Sequence, residues 1–159
     1  MAGYVKVDGL DQLGHMLENL GNEAGEIAAG ALYKGAGVVA DAYSAAVDSI
    51  RTAPFKYAKA GKSRLPSPEE KAALKSKTGI AHFRGSGAEI DTLIGFHNAG
   101  YVEINGKKKP VAVIARSING GTSFMEKQPV FRRAASKAKG AATQAVVDEA
   151  EKRIKELTE

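Results

Sequence analysis

The sequence has 159 residues, of which 43% are hydrophobic and 6% aromatic, with no cysteine and a formal net charge of +5. The length fits one domain with its own core, but the many alanines predict a thin core that gains stability from neighbouring subunits. The lack of cysteine excludes disulfides, thiol catalysis and thiolate metal sites. No apolar stretch approaches the roughly 20 residues of a membrane span, and we expect no signal peptide.

Two helices are predicted at the start of the chain. The first covers residues 9–20, between a possible N-cap at Asp8 and a helix-ending Gly21. Its apolar stripe consists of Leu10, Leu13, Leu17 and Leu20. Asn22 can cap a second, longer helix over about 23–50. The apolar stripe of this helix consists of Ile27, Ala31, Val38, Ala42, Ala46 and Ile50. Its glycines lower helix propensity, so we expect another helix to pack closely against it.

The positive charge is concentrated in the middle of the chain. Residues 1–50 have a net charge of −5, whereas residues 51–84 have a net charge of +7. Residues 51–78 are interpreted as an exposed basic loop, with a short helix at about 68–76. The sequence Ser67-Pro68-Glu69-Glu70 predicts the start of that helix, because it combines an N-cap serine, a proline and a capping-box glutamate.

This basic loop contains the candidate partner-contact residues Lys56, Lys59, Lys62 and Arg64. A concentrated positive segment favours contact with nucleic acid or with an acidic protein face. Phe55 and Tyr57 lie between the cations, and such rings can stack on bases. A solvated loop that only keeps the protein soluble explains the same charges, and the sequence leaves both interpretations open.

Residues 79–104 are predicted to form antiparallel β-structure. Ile90, Thr92, Ile94 and Phe96 alternate with their neighbours, the period of a half-buried strand. Residues 80–83 could form an earlier strand, with Gly85-Ser86-Gly87 as the turn. Residues 101–104 precede Asn105-Gly106, a strong hairpin signal. Periodicity alone leaves open whether residues 111–118 form the return strand or a short helix.

A long helix is predicted from about residue 126 to residue 157. Its apolar stripe consists of Phe131, Ala134, Ala138, Ala141, Ala145, Ile154 and Leu157. We expect it to pack on the long N-terminal helix. The predicted fold is therefore a single α+β domain spanning residues 1–159, with two N-terminal helices, a small antiparallel β-sheet and this long C-terminal helix.

The residue pattern gives no support for catalysis, for a bound metal or for a cofactor. His15, His82 and His97 are not at metal-ligand spacings, and satisfied or exposed histidines are the ordinary interpretation. If His82 and His97 face each other across a sheet, they could form a weak metal site. Gly85-Ser86-Gly87 is too short for a nucleophile elbow, and no phosphate-binding glycine motif is present.

Three features, taken in chain order, resemble one protein family. The chain opens with Val5-Lys6-Val7-Asp8-Gly9-Leu10 and then has a long alanine-rich helix. It later has Ala115-Arg116-Ser117-Ile118-Asn119-Gly120-Gly121-Thr122-Ser123, followed by Pro129-Val130-Phe131-Arg132-Arg133-Ala134. This order is similar to that of the gene-product-ten-like minor tail components of siphovirus bacteriophages and prophages. They are also described as tail-completion or head–tail joining proteins, analogous to the lambda Z protein. The motif residues are Gly121, Thr122, Pro129, Phe131 and Arg132.

The resemblance implies a structural virion protein rather than an enzyme, without cofactor or catalytic residues. Such a protein, made in the bacterial cytoplasm, assembles as a homo-oligomeric, usually hexameric ring in the neck of the particle. There it contacts the tail tube or tail terminator and a head-completion or portal-proximal protein. The resemblance also implies that residues 111–118 form a short helix running into the Gly-Thr turn. An acidic N-terminal half could meet the basic middle of an adjacent copy. The alternative function is nucleic-acid binding through residues 51–77.

Overall fold

The computed structural model describes residues 10–80, 84–86, 89–91, 94–96 and 99–159. The described helices are α1 (Leu10–Asp48), α2 (Pro68–Lys77), α3 (Val111–Gly120) and α4 (Val130–Thr158). Six short strands lie between α2 and α3, so the predicted α+β class is confirmed for the described part of the chain.

The strands form antiparallel pairs rather than one sheet. In the described residues, β1 (Gly79–Ile80) pairs with β4 (Ile94–Gly95), β2 (Arg84–Ser86) with β3 (Glu89–Asp91), and β5 (Tyr101–Ile104) with β6 (Lys107–Pro110). Gly85 and Ser86 were predicted to lie in a turn, but they belong to β2 and pair with Ile90 and Glu89. The rest of that predicted turn and most of the predicted strand at residues 80–83 lie outside the described residues.

The predicted break at Gly21 and Asn22 is wrong, because α1 is continuous from Leu10 to Asp48. A glycine inside a helix costs about 1 kcal/mol, which is too little to end a helix whose backbone hydrogen bonds continue on both sides. Asn22 accordingly occupies an exposed helical position rather than a cap. The helix ends at Asp48, where the amides of Ser49 and Ile50 fold back onto the carbonyls of Ala46 and Val47.

Helices α1 and α4 pack against each other, as predicted, and their orientation is antiparallel. The ring of Tyr43, near the end of α1, lies 5.5 Å from that of Phe131, near the start of α4. Earlier in α1, the backbone of Gly35 lies directly against the carbonyl of Ala142 on α4. The small side chains of α1 therefore let the two helices approach closely.

The apolar stripe predicted for α4 is correct only in its first half. Phe131 and Ala138 are buried, but Ala141 and Ile154 are exposed. The side chain of Val146 and the backbone of Ala142 meet α1 instead. The helical period of 3.6 residues explains why Ala142 and Val146 face α1, since they lie four and eight residues after Ala138 and share its face of the helix. The helix also begins at Val130, later than predicted, because Pro129 directly precedes it.

The best-packed part of the core lies where the end of α1 meets α2, α3 and the hairpin β5–β6. Four of its side chains are fully buried: Val47, Leu74, Val111 and Ile118. Phe96 joins this cluster edge-on to Phe131, with 4.9 Å between the ring centres. The loop after α1 and the hairpin are thus fixed to the same core.

The first strand and the turn of the hairpin β5–β6 are confirmed at the predicted positions, whereas the return strand is Lys107–Pro110, a segment to which no strand was assigned. Asn105 and Gly106 both have positive φ angles, +53° and +68°, as a tight type I′ turn requires. The return strand β6 ends at Pro110, and α3 begins at the next residue. Residues 111–118 are therefore helical, which is the alternative that the resemblance implied.

Candidate functional site

A cleft of about 330 Å³ opens between the loop after α1 and the hairpin β5–β6. Its walls come from three parts of the chain that are far apart in sequence. We call it the basic cleft; it is lined by Phe55, Tyr57, Ala58, Arg64, Ile104, Asn105, Lys107, Lys109 and Phe124. These described lining residues include no carboxylate.

The loop that forms one wall is held by backbone hydrogen bonds to the segment before α4. The amide of Arg64 donates to the Phe124 carbonyl at 2.9 Å, and the amide of Glu126 donates to the Arg64 carbonyl at 2.8 Å. Within the loop, the Ala53 amide donates to the Pro66 carbonyl at 3.0 Å. These bonds fix the backbone at both ends of the stretch that carries the aromatic and basic side chains.

Gln128 fastens the beginning of the same loop. Its side-chain oxygen accepts from the Arg51 amide at 2.9 Å, and its side-chain nitrogen donates to the Arg51 carbonyl at 3.1 Å. The backbone amide of Gln128 donates to the Ile118 carbonyl at 2.7 Å. A buried glutamine thus satisfies both backbone groups of one loop residue, and the exposed Arg51 side chain forms an ion pair with Glu126.

Aromatic rings form much of the surface of the basic cleft. The rings of Phe55 and Tyr57 meet edge to face at 5.3 Å. Tyr57 is 76% exposed and Phe124 is 49% exposed, high values for side chains of this size. Because both rings line an open cleft, they offer faces on which a planar ligand could stack.

Two cations of the basic cleft, Arg64 and Lys109, form ion pairs with the buried carboxylate of Glu70. Arg64 makes a two-point ion pair with Glu70, at 2.7 and 2.8 Å, and Lys109 contacts the same carboxylate at 3.2 Å. Both cations also lie over the Phe55 ring, at 4.8 Å and 5.5 Å from its centre. Burial alone would raise the pKa of Glu70. Hydrogen bonds from Arg64 and the Ser67 amide, together with the nearby positive charges, lower it to about 2.

Glu70 is therefore ionised at neutral pH and serves two structural purposes. It is the capping-box glutamate of α2: its carboxylate accepts from the Ser67 amide at 2.9 Å, and its own amide donates to Ser67 Oγ at 3.2 Å. The side chains of Arg64 and Glu70 are only 12% and 2% exposed. The guanidinium of Arg64, a predicted partner-contact residue, is thus paired within the subunit, although Arg64 also lines the basic cleft.

The other predicted contact residues, Lys56, Lys59 and Lys62, are exposed, as is Lys107 on the hairpin. Among the described residues, none of these four lysines lies within salt-bridge distance of a carboxylate. Further along the basic segment, Lys71 donates to the carbonyls of Asp48 and Ile50, and Lys75 pairs with Asp48 at 2.6 Å. Within the described residues 51–77 and 101–110, the lysines without a carboxylate at salt-bridge distance lie on the loop and the hairpin, together with Lys71 and Lys77 on α2.

Sequence reasoning missed the contribution of the hairpin to this surface. The run Lys107-Lys108-Lys109 directly follows the Asn105-Gly106 turn, so its place on a hairpin was predictable. The register pairs Ile104 with Lys107 and Val102 with Lys109, which places these four residues on one face of the hairpin. The contact between this face and the loop of residues 51–67 depends on tertiary packing, and no local sequence pattern predicts it.

The motif residues of the resemblance are not among those that line the basic cleft; they form the turn before α4 and the start of that helix. Gly121 has a φ angle of +74°, and a Cβ there would lie 2.8 Å from that of Lys127. Thr122 Oγ1 accepts from the Met125 amide at 3.0 Å and closes the turn. Phe131 is buried, Arg132 is exposed, and Pro129 directly precedes α4. Each of these residues has a structural role in that turn or that helix start, apart from the exposed side chain of Arg132.

The described residues contain no group of three or more histidine, aspartate or glutamate side chains arranged to hold a metal ion. His82 and His97, the pair considered for a weak metal site, lie outside the described residues. No helix in the part of the chain that the structure describes is long and apolar enough to cross a membrane.

Comparison with known proteins gave no match. No family model matches the chain, and neither the curated proteins nor the solved structures include a significant match to it.

Proposed function

We propose that this protein is a structural subunit of the head–tail joint of a tailed bacteriophage. As a tail-completion subunit it assembles into a ring, a hexamer by analogy with the family it resembles, at the tail end that faces the head. Its partners are further copies of itself, the tail tube or tail terminator, and a head-completion or portal-proximal protein. It acts in the virion neck after synthesis in the host cytoplasm.

The observation that carries this proposal is the order of elements from Val111 to Phe131. The amino-acid pattern alone left residues 111–118 open between strand and helix, and the resemblance implied a short helix there. Helix α3 occupies this position and ends at the positive-φ Gly121; the Thr122 turn and the start of α4 follow. The element order implied by the resemblance and the observed order thus agree in the part of the chain that has the most specific motif residues.

The described N-terminal part of α1 supports a subunit that is completed by neighbours. From Glu18 to Glu26 every residue is exposed except Leu20 and Gly25, which are half-buried. Among the side chains of α1 that the structure describes, from Glu18 onward, the first buried one is Ile27, close to where Arg153, near the end of α4, meets the backbone of Gly30. A helix that extends past its partner gains little stability from its own subunit, so contact with another chain would offset the cost of ordering it.

Deletion of the gene from a phage or prophage that encodes this chain tests the proposal. We expect filled heads and complete tails that remain separate in electron micrographs, and restoration of infectious particles when the wild-type chain is supplied from a plasmid. We also expect genes for portal, head-completion and major tail proteins beside it. Normal, infectious particles from the deletion strain would refute the joint role.

A further inference from the structure

We infer that the basic cleft binds single-stranded nucleic acid, with one unstacked base inserted between its aromatic walls and the backbone phosphates held by the surrounding lysines. This inference does not depend on the role in the head–tail joint. It rests on a surface formed by two elements, the loop of residues 51–67 and the hairpin β5–β6.

The charge of the surface calls for an anionic ligand. Arg64, Lys109 and Lys107 line the cleft, and Glu70 behind it neutralises about one of these three charges. Lys56 and Lys59 flank the lining residues Tyr57 and Ala58 and are exposed, so they add to the positive charge at the rim. A cluster of cations whose charge exceeds that of the carboxylate beside it attracts polyanions and makes binding salt-dependent.

The aromatic rings favour nucleic acid over an acidic protein face. Exposed rings contribute little to the binding of carboxylates, but they bind bases by stacking, irrespective of sequence. Phe55, Tyr57 and Phe124 all line the cleft, and Tyr57 and Phe124 are the more exposed of the three. The amide side chain of Asn105 also lines the cleft and can hydrogen-bond to the edge of a base.

The size of the cleft favours single strands over a duplex. A volume of about 330 Å³ accommodates one nucleotide but not the width of a double helix. Bases in a duplex are already stacked on each other, so their faces are unavailable to Tyr57 and Phe124 unless a base is flipped out at a cost in free energy. A flexible single strand can place a base in the cleft and run its phosphates past the lysines on either side.

Fluorescence anisotropy with a labelled twelve-nucleotide oligothymidylate tests the inference, using the full chain. An abasic strand of equal length measures the phosphate contribution alone. We expect the oligothymidylate to bind about tenfold more tightly than the abasic strand, because base–aromatic stacking supplies the difference. If four lysines contact phosphates, the logarithm of the affinity should fall with the logarithm of salt concentration with a slope of about −3.

Charge-reversal variants identify the surface. Lys56→Glu, at the rim beside the loop, combined with Lys107→Glu in the hairpin wall should weaken binding about tenfold or more and flatten the salt dependence. Lys137→Glu with Lys139→Glu, both exposed on α4, changes the net charge equally and should have a much smaller effect. Equal losses from the two pairs would mean that only net charge matters and would overturn the assigned site.

The Tyr57→Ala variant tests the stacking step. It should lower affinity for the oligothymidylate about tenfold while leaving the abasic strand unaffected. Tyr33→Ala, at an exposed tyrosine of α1, is the matched control and should change neither. Circular dichroism and thermal unfolding establish that each variant is folded. Absence of binding at low salt, equal binding of both strands, or equally tight binding of a polyglutamate peptide would each refute the inference; the last result would identify an acidic protein as the partner.

Discussion

Arg64 and Glu70 are joined by two parallel hydrogen bonds, from Nη1 to Oε2 at 2.8 Å and from Nη2 to Oε1 at 2.7 Å. Such two-point pairing is the strongest geometry available to these side chains. It connects the loop after α1 to the first turn of α2, and Lys109 extends the connection to the hairpin. One buried carboxylate therefore positions both walls of the basic cleft.

The Glu70→Gln variant should be strongly destabilised. The substitution keeps the shape of the side chain but leaves the positive charges of Arg64 and Lys109 without their carboxylate. Removing one partner of a buried ion pair costs about 3–5 kcal/mol, so urea unfolding should show a clearly lower midpoint. Glu69→Gln, at the exposed neighbouring position, is the control and should shift the midpoint little. Similar midpoints for the wild-type chain and Glu70→Gln would contradict the structural role of this pair.

The stabilisation from Glu70 should disappear in acid. Its pKa in the folded protein is about 2, well below the ordinary value of 4.5. A lowered pKa means that the unfolded chain takes up the proton first, so stability is fully present above about pH 5 and is lost as the pH falls towards 2. The difference in unfolding free energy between the wild-type chain and Glu70→Gln should therefore shrink steadily over this range. A difference that is constant from pH 6 to pH 2 would assign the effect to packing instead.

The sequence predicted this site unevenly, and the reasons are physical. The Ser67–Glu70 capping box and the Asn105-Gly106 turn are local, so their residues identify them directly. The position of Lys109 against Glu70 joins segments 39 residues apart and has no local signature. Arg64 was interpreted as exposed because it lies in a basic run. Its carboxylate partner, Glu70, lies outside that run, six residues further along the chain.

The helices illustrate the same division between local and tertiary causes. Apolar periodicity correctly predicted that α1 and α4 pack together. The prediction that α1 ends at Gly21 was wrong, because it relied on the glycine and the helix continues through that residue. Periodicity left residues 111–118 open, because a short apolar run fits both a strand and a helix. The return strand of the β5–β6 hairpin ends before residue 111, so residues 111–118 do not form it.

Gly121→Ala should destabilise the turn before α4. The backbone at this position has a positive φ angle, and an added Cβ would lie 2.8 Å from the Cβ of Lys127 and 3.2 Å from its Cα. An alanine there combines backbone strain with overlap, so we expect a loss of about 1–3 kcal/mol in thermal or urea unfolding. Gly120→Ala provides the adjacent control, because its Cβ would meet nothing within 4 Å. If both variants unfold at the same midpoint, the conformation of Gly121 does not constrain this turn.

Two glycines of α1 should respond to alanine in opposite ways. A Cβ on Gly35 would lie 2.9 Å from the Ala142 carbonyl oxygen and overlap the Val146 side chain, so α1 and α4 would have to separate. Overpacking of this kind costs about 1–3 kcal/mol, which exceeds the gain in helix propensity. A Cβ on Gly37 would meet nothing within 4 Å, so Gly37→Ala should stabilise the protein by about 1 kcal/mol. Thermal unfolding of the two variants at one protein concentration measures both effects. Stabilisation by Gly35→Ala would mean that the close approach of α1 and α4 at Gly35 is absent in solution.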